Sequence, residues 1–189
     1  LSIRRQRQMC IRDSGVIVCG YAKSNDTNES SRIYSTSNGG ESWDIVGSGP
    51  ATNIIKGVVY VSSDVGFFCY DYVEGMDSNL YKTDDGGKTF AKVMLEEQEL
   101  DSSAANPQGQ ETETKTDSGK NGADSSEQLR WGDVYKEALT PVVDSTGIIT
   151  IYLTQGKNAV YNDGKTAAKY QSSDKGSTWK YIGQVEIKD

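Results

Sequence analysis

One eight-residue pattern occurs three times in this chain, and it constrains the fold more than any other feature. The copies are Thr36-Ser37-Asn38-Gly39-Gly40-Glu41-Ser42-Trp43, Thr83-Asp84-Asp85-Gly86-Gly87-Lys88-Thr89-Phe90 and Ser172-Ser173-Asp174-Lys175-Gly176-Ser177-Thr178-Trp179. All three fit Ser/Thr-x-Asp/Asn-x-Gly-x-Ser/Thr-Trp/Phe without a gap. A unit repeated in this way points to a supersecondary element that recurs and stacks on its neighbours. The residue types say what the unit does. Asp or Asn at the third position accepts hydrogen bonds from backbone N–H groups of its own turn. Gly at the fifth supplies a backbone conformation with positive φ. The hydroxyl at the seventh ties the turn together, and the aromatic at the eighth covers a sheet. We therefore expect three like turns, with Asn38, Asp85 and Asp174 pointing inward and Trp43, Phe90 and Trp179 buried. Calcium binding at Asp84-Asp85 is disfavoured, because the turn offers too few oxygen ligands.

Strands flank every octet. Ile33-Tyr34, Leu80-Tyr81 and Lys169-Tyr170 precede them, and Asp44-Ile45-Val46, Ala91-Lys92-Val93 and Lys180-Tyr181-Ile182 follow. Further β-branched and aromatic runs at Gly15–Tyr21, Val58–Ser62, Gly66–Val73 and Gly147–Thr154 read as strands. Asp144-Ser145-Thr146-Gly147 and Asn162-Asp163-Gly164-Lys165 read as hairpin turns. Helical periodicity is absent apart from a short turn expected within Ser125–Leu139. With 35% hydrophobic residues and 20 glycines in 189, the chain is polar and turn-rich, and no apolar run is long enough to span a bilayer as a helix.

The octet resembles the Asp-box, or BNR repeat, of sialidase-like β-propellers, and the resemblance covers Gly15–Asp189. It implies an all-β fold in which each blade is a four-stranded antiparallel sheet and the box is the turn between its third and fourth strands. The 47 residues from Trp43 to Phe90 match one blade of a propeller repeat. The 89 residues from Phe90 to Trp179 match a blade plus an insertion. Three boxes imply about three blades, fewer than the four to eight that close a ring. The expectation is a β-propeller fragment from the C-terminal part of a longer protein.

Residues 1–14, 15–95, 96–130 and 131–189 form the expected divisions. Leu1–Ser14 carries Arg4, Arg5, Arg7 and Arg12 against one acid, Asp13, and resembles translated adapter sequence. We set it aside as a non-native leader that makes few contacts with the blades. Glu96–Leu129 has no aromatic residue and holds nine acidic residues against Lys115 and Lys120, which accounts for the whole net charge of −7. Such a stretch cannot bury enough apolar area to offset its entropy, so it is expected to be a disordered, solvated insertion. Cys10, Cys19 and Cys69 are odd in number and lack metal-type spacing; Cys19 and Cys69 read as buried hydrophobes in strands. Asn25-Asp26-Thr27 and Asn28-Glu29-Ser30 match a glycosylation triplet and read as polar loop residues.

Function is less legible than fold. Histidine is absent, which excludes Ser-His-Asp, Cys-His and His-ligated metal chemistry within these residues. The acidic balance argues against nucleic acid as a partner. A sialidase clamps its substrate carboxylate with three arginines, and Lys is a poor substitute. Outside the leader only Arg32 and Arg130 are present, and Ser31-Arg32-Ile33-Tyr34 lacks the proline of the family's Arg-Ile-Pro strand. We therefore expect a non-catalytic propeller module, monomeric and without cofactor or metal, that binds a glycan or a protein. The resemblance implies a secreted or bacterial cell-envelope location. The alternative is part of a sialidase-like glycoside hydrolase whose catalytic residues lie mostly elsewhere. In such propellers the boxes lie on one face and ligands bind on the other. This places the candidate ligand residues Tyr72, Glu74, Asp77, Gln155 and Asn158 on the face opposite the octets. Phe68, Tyr70 and Tyr72 are expected to alternate along one strand and pack between blades.

Overall fold

The computed structural model describes residues 4–11, 13–21, 30–100, 130–156 and 161–187. Three antiparallel sheets follow one another along the chain. The first holds β1 (Arg4–Ile11), β2 (Ser14–Tyr21), β3 (Ser30–Thr36) and β4 (Asp44–Ser48), in that order. The second holds β5 (Ile55–Tyr60), β6 (Gly66–Tyr70), β7 (Leu80–Thr83) and β8 (Ala91–Lys92). In the third, β11 (Ile149–Thr154), β12 (Thr166–Ser172) and β13 (Lys180–Glu186) are joined by β9 (Glu137–Ala138) and β10 (Val142–Val143), which both pair with β11. These two are pieces of one edge strand. Pro141 lies in the break, where it cannot donate to the ladder. Each sheet is thus a four-stranded meander, and the described residues do not close into a ring. A single helical turn, α1 (Trp131–Val134), precedes β9.

Four expectations are corrected. Residues 4–11 do not stand apart from the fold, because β1 pairs with β2 through a two-residue connection, with Ile11 opposite Ser14 and Cys10 opposite Gly15. A ladder joins backbone groups, so a polar, arginine-rich segment can complete a sheet edge. The strand expected over Gly66–Val73 ends at Tyr70, so Tyr72 does not continue the row of Phe68 and Tyr70. The start of the acidic insertion is packed: Leu95 and Leu100 lie against the third sheet, and the Tyr170 hydroxyl donates to Glu96 O at 2.6 Å. Residues 101–129, where disorder was expected, lie outside the described residues, as do both glycosylation triplets. Finally, Trp43, Phe90 and Trp179 are half-buried rather than buried.

The middle sheet carries the core. All five residues of β6 are buried, and strand alternation sends Phe67 and Cys69 to one face and Phe68 and Tyr70 to the other. Phe67, Cys69 and Leu80 pack against Ile149 and Ile151 of the third sheet. Phe68, Tyr70 and Tyr60 pack against Val18 and Ile33 of the first. Full burial of each Phe contributes about 1.5–3 kcal/mol of transfer free energy. Cys69 therefore faces away from the first sheet that holds Cys19, and both thiols are free. Burial pushes the Cys69 thiol up to about 11, which makes it a packing residue rather than a nucleophile.

The three octets are the same turn. The first-position hydroxyl accepts from the fifth-position glycine N–H: Gly40 to Thr36 Oγ1 at 3.0 Å, Gly87 to Thr83 Oγ1 at 2.8 Å, Gly176 to Ser172 Oγ at 2.8 Å. The same hydroxyl donates to the third-position side chain at 2.8, 2.9 and 2.7 Å. That side chain then accepts the seventh-position N–H, from Ser42 at 3.0 Å, Thr89 at 2.8 Å and Thr178 at 2.9 Å. In the second and third octets the seventh-position hydroxyl closes on the other carboxylate oxygen at 2.6 Å. These donors, led by the Thr89 and Thr178 hydroxyls, hold the Asp85 and Asp174 carboxyls well below the usual carboxylate range.

Two predictions follow from these turns. A Cβ on Gly176 would sit 2.5 Å from Phe67 of the second sheet, whereas a Cβ on Gly40 would meet only Trp43 of its own octet, at 3.6 Å. Both glycines have positive φ, 78° and 93°, so both alanine variants carry a similar backbone cost of about 1–3 kcal/mol. Gly176→Ala should lower the urea unfolding midpoint further than Gly40→Ala, and equal losses would show that the sheet contact adds nothing. The carboxyl titration gives the second. Because Asp85 and Asp174 have depressed folded values, their contribution is fully present above the unfolded value of about 4 and is lost as pH falls below it. The Asp85→Asn, Asp174→Asn double variant should therefore show a shallower loss of stability between pH 5 and pH 2.5, with no change in slope between pH 6 and 8.

Candidate functional site

The octets sit at one end of the sheets, because each joins a third strand to a fourth. The connection from β6 to β7 and the exit from β8 lie at the opposite end. There the residues between Tyr70 and Leu80, the segment after β8 and the turn of α1 enclose a cavity of about 490 Å³. Val93, Leu95, Tyr135, Ala138 and Leu153 supply much of its apolar wall. Tyr72, Glu74 and Asp77 line it, three of the five ligand residues expected from sequence.

Local structure explains how these side chains converge. Asn79, 1% exposed, ends the connection with its amide bridging two sheets: Nδ2 donates to Tyr70 O at 2.8 Å and Ala138 O at 3.0 Å, and Oδ1 accepts Ala138 N–H at 2.9 Å. The Ser78 hydroxyl donates to Val93 O at 3.0 Å and binds the connection to the chain leaving β8. Met76 N–H donates to Val73 O at 3.1 Å, with Gly75 at φ 91° between them, so the chain turns sharply and presents Glu74 and Asp77 outward. Lys136 reaches Glu74 at 3.1 Å, and Lys92 reaches Asp77 at 2.7 Å. The hydrogen bond from Lys92 holds the Asp77 carboxyl below its ordinary value, and the bond to Glu74 raises Lys136.

Sequence reasoning missed the other half of the site. Trp131 and Tyr135, each 3% exposed, form its aromatic floor with ring centroids 4.6 Å apart. Trp131 also meets the Tyr181 ring edge-on at 5.2 Å. The indole N–H of Trp131 has no hydrogen-bond partner among the described residues: Tyr170 Oη lies close enough to feel it, but outside hydrogen-bond geometry. Arg130, Asp133, Glu97 and Met94 complete the rim. The signal for this half was Trp131 itself, an isolated large aromatic directly after an acidic, aromatic-free stretch. The Lys136–Glu74 pair spans 62 residues and has no sequence signature.

Gln155 is a correction. It was expected in the ligand surface, but its side chain is spent internally: Nε2 donates to Tyr161 O at 2.7 Å and Thr166 Oγ1 at 3.1 Å, and Oε1 accepts Tyr161 N–H at 3.0 Å. It braces the loop before β12. Asn158 lies outside the described residues. Arg32 stays on β3 of the first sheet, stacked 5.7 Å from the Tyr21 ring, so it does not join Arg130. Among the described residues no three Cys, Asp or Glu side chains converge as metal ligands would, and no helix is long and apolar enough to cross a membrane. A second cavity, about 620 Å³, opens at the octet end between the first two sheets, with Tyr60, Asp64, Asp85 and Lys88 in its wall. Asp85 is already engaged in closing its own turn there, with Oδ1 accepting from Thr83 and Lys88 and Oδ2 from the Thr89 hydroxyl.

The ion pairs give a direct test of the cavity's charge. A carboxyl titration followed by ¹³C NMR should place the Asp77 midpoint below the ordinary value of about 3.9. Lys92→Met should return it toward that value, and an unmoved midpoint would show that the pair does not persist in solution.

No protein-family model matches the chain, and the search of curated proteins finds no match. Solved structures do match. An oligogalacturonate lyase, solved in complex with manganese, superposes with a TM-score of 0.50 at 9% identity. The match covers 92% of this chain and 39% of the lyase. A GH74 enzyme from Niastella koreensis matches with a TM-score of 0.41 and 12% identity, over 89% of this chain and 28% of the enzyme. The chain thus spans about two-fifths of the lyase and less than a third of the GH74 enzyme. The likeness to the lyase supports a mostly antiparallel β fold of the β-propeller kind.

Proposed function

We propose that the chain is an Asp-box β-propeller module that binds a glycan or protein ligand without transforming it, and that the ligand enters the cavity beside Tyr72, Glu74 and Asp77. The observation that carries this reading is convergence: residues from three separate segments enclose one cavity at the end opposite the octets. The octet geometry supports the Asp-box assignment, since all three copies use the same closed set of side-chain and backbone bonds. The cavity chemistry favours binding over catalysis. A glycosidase needs a carboxylic acid kept protonated near neutral pH. Here Asp77 is held ionised by Lys92. Carboxylate clamping of the sialidase type needs three guanidinium forks, and Arg130 is alone at the cavity among the described residues. By resemblance, we also propose a secreted or cell-envelope location and a monomer.

The test uses the whole 189-residue chain. It should not turn over a fluorogenic sialoside. On arrays of glycans and of peptides it should retain ligands that the Tyr72→Ala, Glu74→Ala double variant releases. Turnover of the sialoside, or retention unchanged in the double variant, overturns the reading.

A further inference from the structure

The first octet departs from the other two at the residue that closes the turn. Asp85 takes a hydroxyl donor on each carboxylate oxygen, from Thr83 and Thr89, and Asp174 does the same with Ser172 and Thr178. The first octet has Asn38 there, followed by Gly39. An amide has one accepting oxygen, so this turn closes differently. Oδ1 accepts from the Thr36 hydroxyl at 2.8 Å and from Ser42 N–H at 3.0 Å, as in the other copies. Nδ2, however, donates to Ser42 Oγ at 2.9 Å, so the hydroxyl that donates at 2.6 Å from Thr89 and Thr178 accepts here. The slot suits a carboxylate better than the amide in it, because bonds to an ionised acceptor are shorter and stronger.

Asn-Gly is also a reactive pair. Glycine has no side chain to shield its backbone nitrogen, a Cβ on Gly39 would meet nothing within 4 Å among the described residues, and Asn38 and Gly39 are both exposed to water. We propose that Asn38 is a site of self-modification: the Gly39 nitrogen displaces its amide, and the aspartate formed takes the part that Asp85 and Asp174 play. Solvent base removes the Gly39 N–H proton. The nitrogen then bonds to Asn38 Cγ, the Cγ–Nδ2 bond breaks, and Nδ2 takes up a proton and leaves as ammonia. Water opens the resulting cyclic imide. Opening at Cγ gives aspartate, and opening at the main-chain carbonyl gives isoaspartate. Nothing is oxidised or reduced.

The fold decides when this happens and which product it keeps. In the closed turn Gly39 N–H is engaged with Asp13 O at 2.7 Å, and three bonds hold the Asn38 amide. The nitrogen and Cγ meet only when the turn opens. Aspartate lets the turn close again, with the Ser42 hydroxyl rotated to donate. Isoaspartate carries the main chain through Cγ and leaves its carboxylate on Cα, away from the Thr36 and Ser42 donors, so that product leaves the turn open.

The full chain, incubated in mildly alkaline buffer either folded or unfolded in urea, tests this. Peptide mapping follows residue 38, with asparagine, aspartate and isoaspartate resolved. The unfolded chain should lose the amide at least about tenfold faster, since the reaction needs the turn open. In the folded chain Ser42→Ala should speed the loss, because it removes one restraint on the amide at an exposed position. Asn38→Asp should unfold at a higher urea midpoint than the unmodified chain, and the fraction carrying isoaspartate at a lower one. Equal rates in the folded and unfolded chain overturn the role given to the turn. An Asn38→Asp midpoint at or below that of the unmodified chain overturns the role given to the product. An amide at residue 38 that survives in urea ends the proposal altogether.

Discussion

Everything else in this protein depends on how an octet touches the sheet before it. The turn is closed by its own hydroxyl and carboxylate, so it is rigid before it packs. Its fifth-position glycine then meets the neighbour directly: a Cβ on Gly87 would crowd Ile33 of the first sheet at 3.1 Å, and one on Gly176 would strike Phe67 of the second. The facing side must be thin as well. A Cβ on Gly47, at the edge of the first sheet, would lie 2.8 Å from Gly87 O. The glycine therefore answers two demands at once, a positive φ for the turn and no side chain at the contact. This explains why the fifth position is Gly in all three octets, whereas the fourth, which also takes a positive φ but meets no neighbour closely, admits Lys175.

Sheets registered by their turns still need ties at depth, and the polar ties here are few and buried. Ser31 Oγ meets Tyr70 Oη at 3.2 Å between the first two sheets. Gly49 leaves room for that pair, since a Cβ there would overlap Ser31 and Tyr70. Asn79 spans the second and third sheets with its whole amide. A buried donor or acceptor left alone costs about 1–3 kcal/mol, so such a bridge penalises any sliding of one sheet on the next. The apolar clusters supply the larger free energy but tolerate displacement, whereas the hydrogen bonds fix the position. The Asn79 bridge also leads directly into the cavity, because Ser78 and Asp77 follow from it along the same connection. The site is therefore held by the bond that locks two sheets together.

The fold was legible to the extent that its determinants are local. Each octet carries its complete bonding set within eight residues, so three copies identified three sheets and their last two strands. Strand existence was equally clear, and boundaries moved by a few residues: the ladder of β6 with β7 runs as far as Tyr70, whose N–H pairs with Asn79 O, and stops before Tyr72. What escaped was non-local. The first position of the octet was given no role from sequence, yet its hydroxyl is the hub of the turn. Gln155 looked like a loop residue with a free amide, and its partners Tyr161 and Thr166 come from a turn and a strand that spacing alone does not bring together. The eighth-position aromatics proved only half-buried because each lies at the sheet end, where it covers an edge rather than filling an interior. Tyr72, Glu74 and Asp77 were expected from topology at the end where they line the cavity, while Trp131, Arg130 and Lys136 on the opposite wall required the third sheet to be in place.

The two ends of the sheets divide the work for a physical reason. At the octet end the chain reverses in short turns whose polar groups are consumed internally, as the Asp85 and Asp174 oxygens show. Such turns are stable and chemically silent. At the other end the connections are longer, and the groups they carry are not all needed for closure. Glu74 and Asp77 take lysines that remain partly solvated, Met94 and Val73 stay uncovered, and the buried Trp131 N–H finds no partner among the described residues. A surface becomes available for recognition when the backbone no longer requires its side chains. In this protein that condition is met at the cavity, where rigid, octet-anchored sheets hold up connections with polar and apolar groups to spare.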